Sequence, residues 1–231
     1  MTLAISSKES VSTVLCAPDS FGKDEVAAVI IAHGAGNDMN HPLIVSLCEG
    51  LANAGYLAMR FNFPYKEQGR KAPDKPEILE ITWQQAMQFL KDESMHPIQN
   101  IIAAGKSMGG RIASQMVVDG RLACTGLIFL GYPLHPAGAK ERLKDEHLYR
   151  IKIPMLFFAG TRDSLCDLSM LKKVMNRLGP RAELEVIEGG DHSFHVPKSS
   201  SVTIQEVYAK IISRTVTWIS GTVSKRISQS P

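Results

Sequence analysis

Asn100-Ile-Ile-Ala-Ala-Gly-Lys-Ser-Met-Gly-Gly-Arg111 is the stretch on which the fold is decided. Ile101–Ala104 is an apolar run with the pattern of a buried strand, and Ile112–Val118 has the pattern of the helix behind it. Between them, Gly105-Lys106-Ser107-Met108-Gly109 has the spacing Gly-x-Ser-x-Gly. A serine lifted onto a sharp strand-to-helix turn sits in a strained backbone, and small neighbours two residues to either side keep Cβ atoms out of the turn. The following helix aims its amide dipoles at any negative charge that develops beside the serine. Taken alone, the spacing fits an ordinary strand–helix turn as well as a reactive elbow. Partners elsewhere in the chain have to decide.

Working outward, Val26–Ala32 is a continuous apolar run, the mark of a strand covered on both faces, and it feeds the small-residue loop His33–Asn40. A helix is expected over 41–54, with Leu43, Leu47 and Leu51 on one stripe and Gly55 at its end. Residues 56–63 read as a strand, 64–76 as a charged, proline-bearing loop and 77–91 as a helix. Past the elbow come a strand at 124–130, a polar stretch at 137–150 with at most a short helix, and a strand at 153–159. A helix at 168–178 stops at Gly179-Pro180, and 184–187 is the last strand. The closing helix, 204–220, starts on a capping box of Thr203 and Glu206. Before all of these, Val11–Cys16 reads as an edge strand or hairpin. The alternation predicts an α/β fold with a mainly parallel sheet and helices on both faces. One domain over 1–231 is expected, with 1–10 and 222–231 loosely ordered.

The chain has 231 residues, 44% hydrophobic and 21% charged, with a net charge of +3, which is ordinary globular composition without a basic cluster for nucleic acid. No apolar run reaches the roughly 18 residues of a membrane span, and the start lacks a secretory pattern. Cys16, Cys48, Cys124 and Cys166 have no Cys-x-x-Cys spacing, so a reduced, cytoplasmic protein is expected, with Cys48 and Cys124 as buried small hydrophobes. The histidines do not recur at ligand spacing, so neither metal nor cofactor is expected. A monomer or homodimer fits this composition.

In a parallel sheet, ligands gather at the carboxyl ends of the strands. A serine there needs a base to take its proton and an acid to orient the base. Asp163 follows one strand and His192 follows the last, giving the chain order Ser…Asp…His. Asp167 is the runner-up acid and reads better as a helix N-cap; Asp191 reads as a turn residue. Of the other histidines, His195 suits a solvated loop, and His33 suits backbone hydrogen bonding. Acyl chemistry also needs N–H donors for an oxyanion. Met108 would supply one and the Gly34-Ala35-Gly36 loop the other, with Ala35 ahead of Gly34. Residues 134–152 are too few for a helical cap, so an open site is expected, shaped by Phe63, Tyr65, Met108, Tyr132 and Leu134. Phe63 fits core packing better. Lys106, Arg111 and Arg70 could receive an anionic group, although cations near a helix start are usually surface residues.

Six segments together carry a family resemblance: His33-Gly-Ala-Gly, Arg60-Phe-Asn-Phe-Pro-Tyr65, Gly105-Lys-Ser-Met-Gly-Gly-Arg111, Leu130-Gly-Tyr-Pro-Leu-His-Pro136, Gly160-Thr-Arg-Asp163 and Gly189-Gly-Asp-His-Ser-Phe194. The chain resembles an α/β-hydrolase of the dienelactone-hydrolase-like group. More narrowly, it is similar to the family containing testis-expressed protein 30 and subunit 3 of the non-specific-lethal chromatin complex. Dienelactone hydrolases proper use a cysteine nucleophile, whereas position 107 is serine. The resemblance implies a serine hydrolase for a small acyl substrate, a carboxylic ester or thioester. The chromatin subunit, regarded as a scaffold, points to a second reading, a non-catalytic protein-interaction module on the same fold.

Overall fold

Residues 1–20, 26–94 and 97–227 are described by a computed structural model. In chain order they form β1 (Thr2–Ala4), β2 (Ser10–Cys16), β3 (Val26–Ala32), α1 (Pro42–Asn53), β4 (Leu57–Phe61), α2 (Pro64–Glu67), α3 (Pro76–Glu93), β5 (Ile98–Lys106), α4 (Met108–Val118), β6 (Gly126–Leu130), β7 (Met155–Gly160), α5 (Leu168–Leu178), β8 (Ala182–Ile187) and α6 (Ile204–Ile227). The strands make one sheet in the order β1-β2-β4-β3-β5-β6-β7-β8. β1 and β2 pair antiparallel, as does β2 with β4; every pairing from β4 onward is parallel. This is the α/β-hydrolase fold.

Period-two alternation explains both cores. Ala28, Ile30 and Ala32 of β3 pack with α3, α4 and α5 on one face, through Trp83, Leu90, Ile112, Met116 and Leu171. Val29 and Ile31 face the other way, onto α1 and α6 through Leu43, Leu47, Ile211 and Ile219. A strand buried on both sides has to be apolar throughout, which is why its sequence shows no alternation. The chain turns from one side of the sheet to the other between β3 and β5, so a crevice opens at the carboxyl ends of those two strands.

Local sequence sets the element ends. Pro42 takes the first turn of α1, where its missing N–H costs nothing, and the His41 ring accepts the Leu43 N–H at 3.3 Å. Asp167 caps α5, accepting the Ser169 and Met170 N–H groups, as its position suggested. At α6, Thr203 Oγ1 accepts the Glu206 N–H at 3.2 Å while the Glu206 carboxylate accepts the Thr203 N–H at 2.7 Å, a complete capping box.

Several boundaries differ from the sequence reading. Of the edge strand or hairpin expected at Val11–Cys16, it is the hairpin that forms: β1 pairs antiparallel with the outer side of β2, so the edge is Thr2–Ala4, within the segment 1–10 for which loose order was expected. The proline-bearing loop after β4 holds a single helical turn, α2, which short-range pattern does not signal. Residues 131–154 contain only a 3-10 turn at Glu146–Arg150, and no α-helical cap. Of the stretch 222–231, α6 continues to Ile227 and residues 228–231 lie outside the described residues. No helix among the described residues is long and apolar enough to cross a membrane.

Candidate active site

Ser107 links β5 to α4 with φ 49° and ψ −112°, a left-handed conformation that side chains rarely adopt. The turn is tight enough to dictate its neighbours. A Cβ on Gly105 would lie 2.1 Å from the Gly110 nitrogen, and one on Gly109 would lie 2.6 Å from the His33 carbonyl oxygen. Only glycine fits either position, which is the physical content of the Gly-x-Ser-x-Gly spacing.

Three side chains meet at this elbow. The Ser107 Oγ is 2.9 Å from His192 Nε2, and His192 Nδ1 is 2.8 Å and 3.0 Å from the two Asp163 oxygens. An ionised carboxylate only accepts, so the ring proton sits on Nδ1 and Nε2 is left to accept from the serine hydroxyl. Asp163 also accepts the Leu165 N–H at 2.8 Å. Its side chain has no solvent exposure, whereas the His192 side chain keeps 19%. The acid is therefore buried behind a base that solvent can reach. The loop carrying His192 is fastened at both ends: Asp191 accepts the N–H groups of Ser193 and His195, and Phe194, with φ 65°, is buried against the α1–α6 core.

The Gly34 loop abuts the serine. A Cβ on Gly34 would sit 3.3 Å from the Ser107 Cβ. The Gly34 carbonyl accepts from His33 Nδ1 at 2.9 Å and from the Tyr65 hydroxyl at 3.3 Å. In a trans peptide the next N–H points the opposite way, so these bonds turn the Ala35 N–H away from Tyr65. Ala35 is exposed, and Met108 is partly exposed at the first position of α4, where helix geometry leaves its N–H without an intrahelical acceptor. His33 Nε2 accepts the Phe63 N–H at 3.0 Å, and burial pushes its pKa down to about 4, so the ring is neutral.

Tyr65, Tyr132 and Leu134, expected to shape the pocket, do not line it. Each is buried, with at most 1% exposure. Tyr65 stacks with Phe63 and bonds the Gly34 carbonyl, and burial pushes its hydroxyl up to about 12. Tyr132 gives its hydroxyl to the Lys144 carbonyl at 2.8 Å and packs edge-on against Phe129. Strand-end aromatics turn inward here because their hydroxyls find buried carbonyls, so burying the ring leaves no polar atom unmet. Of the expected wall residues, only Met108 keeps exposure.

Lys106 also differs from its reading as a surface residue: it is 1% exposed, and its Nζ donates to the His192 carbonyl at 3.2 Å. The signal was present, since Ile102, Ala104 and Lys106 share one face of β5 by alternation. Arg70 pairs with Asp74, and Asp167 and Asp191 serve as the cap and turn residues their positions suggested.

Comparisons agree with this architecture. A family model described as "Alpha/beta hydrolase domain" matches residues 25–220. The fold is similar to a dienelactone hydrolase from Anabaena variabilis, with TM-score 0.72 and 18% identity over 96% of this chain and 95% of that one. It is similar to Thermogutta terrifontis esterase 2, with TM-score 0.70 and 20% identity over 95% and 93%. A lidless α/β serine hydrolase from Xanthomonas campestris matches with TM-score 0.66 and 16% identity over 84% and 85%. With a strand order, an elbow and a family match spanning most of its length in agreement, the chain belongs to the alpha/beta hydrolase domain family.

Proposed function

We propose that the chain is a serine hydrolase that cleaves small carboxylic esters or thioesters through an acyl-enzyme. The observation that carries this reading is the unbroken relay from Asp163 through His192 to the Ser107 hydroxyl, with links of 2.8 and 2.9 Å. In the reaction, Ser107 Oγ attacks the acyl carbonyl as His192 Nε2 takes its proton. Asp163 holds the ring in the required tautomer and offsets the charge on the imidazolium. The carbonyl oxygen becomes an oxyanion, which the N–H groups of Met108 and Ala35 receive. His192 then returns the proton to the leaving oxygen or sulfur, and water repeats the sequence to free the acid and restore Ser107.

The strained backbone at Ser107 supports a chemical role, because such strain persists where it serves reactivity. An uncapped site favours short acyl groups over long lipid chains. The solved relatives point the same way: one is an esterase phosphorylated by paraoxon, and another is named as a dienelactone hydrolase. The serine at 107 argues against the dienelactone reaction itself. The narrower kinship with the family of testis-expressed protein 30 belongs to this same reading and rests on the six motif segments alone.

A panel of short-chain aryl esters and acyl thioesters tests it. Wild type is expected to turn over at least one class, with Ser107→Ala reducing kcat by about 10⁶-fold and Asp163→Asn by about 10⁴-fold. Turnover that survives Ser107→Ala would refute the assignment.

A further inference from the structure

Burying an ammonium is costly unless the surroundings answer its charge and its donors. Lys106 ends β5 immediately before the serine, yet its side chain is 1% exposed and turned to the face occupied by α1 and α6. Its hydrogen bond goes to the main-chain carbonyl of His192, at 3.2 Å. The residue therefore bridges the strand bearing the serine and the loop bearing the imidazole.

The charges around it are specific. Asp163, from the loop after β7, and Asp191, from the loop after β8, both attract the ammonium. His41, from the start of α1, feels the ammonium as a like charge, and His195 and Asp38 act on His41 in turn. Tyr208 of α6 lies close enough to Asp191 to feel its charge. Desolvation lowers the Lys106 pKa, and the two carboxylates oppose that. Without the lysine, the Asp163 carboxylate at the ring and the Asp191 carboxylate of the neighbouring residue would lose the cation that answers them, and uncompensated anions favour imidazolium over imidazole. An imidazolium cannot take the serine proton.

We propose that Lys106 is a positioning residue for the relay: its ammonium tethers the His192 backbone to β5 and offsets the carboxylates of Asp163 and Asp191, so that the ring is held in place as a free base. This rests on the hydrolase reading above, and it adds a buried cation as a working part of the site. The lysine touches neither substrate nor the serine oxygen. It acts through His192.

The test uses the full chain with Lys106→Met, which removes charge and donor while keeping length, and Lys106→Gln, which keeps a donor and removes the charge. Thermal melts establish which variants fold, and Gln carries the charge test should Met not fold. The rate of Ser107 modification by a fluorophosphonate is followed against pH, and the His192 ring is followed by nitrogen-detected NMR titration. Both variants are expected to shift the acid limb of the modification rate upward by about one pH unit and to slow it about tenfold at neutral pH. Merely structural damage would lower the melting temperature and leave the limb where it was. Folded variants with limb and rate unchanged overturn the proposal. Should wild type resist the reagent altogether, the hydrolase reading fails; the ring titration, which needs no turnover, still decides for Lys106 if its midpoint rises in the variants and against it if the midpoint stays.

Discussion

At His33 the imidazole is held between two backbone groups, donating from Nδ1 to the Gly34 carbonyl and accepting the Phe63 N–H at Nε2. That arrangement requires the neutral ring, and burial lowers its pKa from 6.5 to about 4. Between those values the unfolded chain binds a proton that the folded chain refuses, so stability rises with pH across that window. The contribution is complete above pH 6.5 and is lost as pH falls toward 4, by about 3 kcal/mol in all. His41 and His147 are lowered to about 4 by the same cause and add to the slope. Denaturant midpoints measured through this range should fall steeply for wild type and less steeply for His33→Gln; equal slopes would contradict the account. Sequence alone identified His33 as a backbone-bonding residue, because it precedes a glycine loop. It could not reveal the donor to Nε2, the Phe63 N–H, which arrives from just beyond β4, thirty residues away. The same limit explains Tyr65, Tyr132 and Leu134: a large apolar side chain beyond a strand end looks the same in sequence whether it turns toward the crevice or the core. Lys106 was misread for a different reason, since charge overrode an alternation that already put it on an inward face.

Elements were legible where their ends carry their own chemistry. The range of α5 follows from Asp167 at one end and Gly179-Pro180 at the other, and that of α1 from Pro42 and Gly55. β3 matched its apolar run residue for residue, because burial on both faces leaves no ambiguity. α2 escaped because one turn is too short to show a period; it is held by tertiary bonds such as the Tyr65 N–H to Asp74 at 2.8 Å. β5 runs past its apolar stretch to Lys106, because β3 pairs with it as far as Gly105 and β6 as far as Lys106, opposite Leu130. At α6 the capping box satisfies two N–H groups that the helix cannot. Thr203→Ala should therefore lower the melting temperature by about 2–4 °C without changing the rate of chemistry at Ser107. An unchanged melting curve would show that the box contributes nothing to α6.

For the whole molecule, the order of the elements carries most of the information. Strands alternating with helices imply a parallel sheet, and right-handed crossovers send chemistry to one rim. On that rim Ser107, Asp163 and His192 stand within hydrogen-bond reach although 85 positions separate the first from the last. Their approach depends on the pairings β5–β6–β7–β8, which set three loops side by side, and on the buried Phe194 that fixes the last loop. None of those long-range contacts is written in any one segment, whereas each end of the relay is. The walls of the crevice were the least legible part, since they depend on side-chain packing across loops rather than on chain order. The most direct measurement is treatment of the purified full-length chain with a fluorophosphonate, followed by intact mass and peptide mapping. One adduct on the peptide bearing Ser107, absent from Ser107→Ala and slowed in His192→Ala, is the predicted result. A folded wild type that takes up no adduct, or takes it up on another residue, would contradict the account.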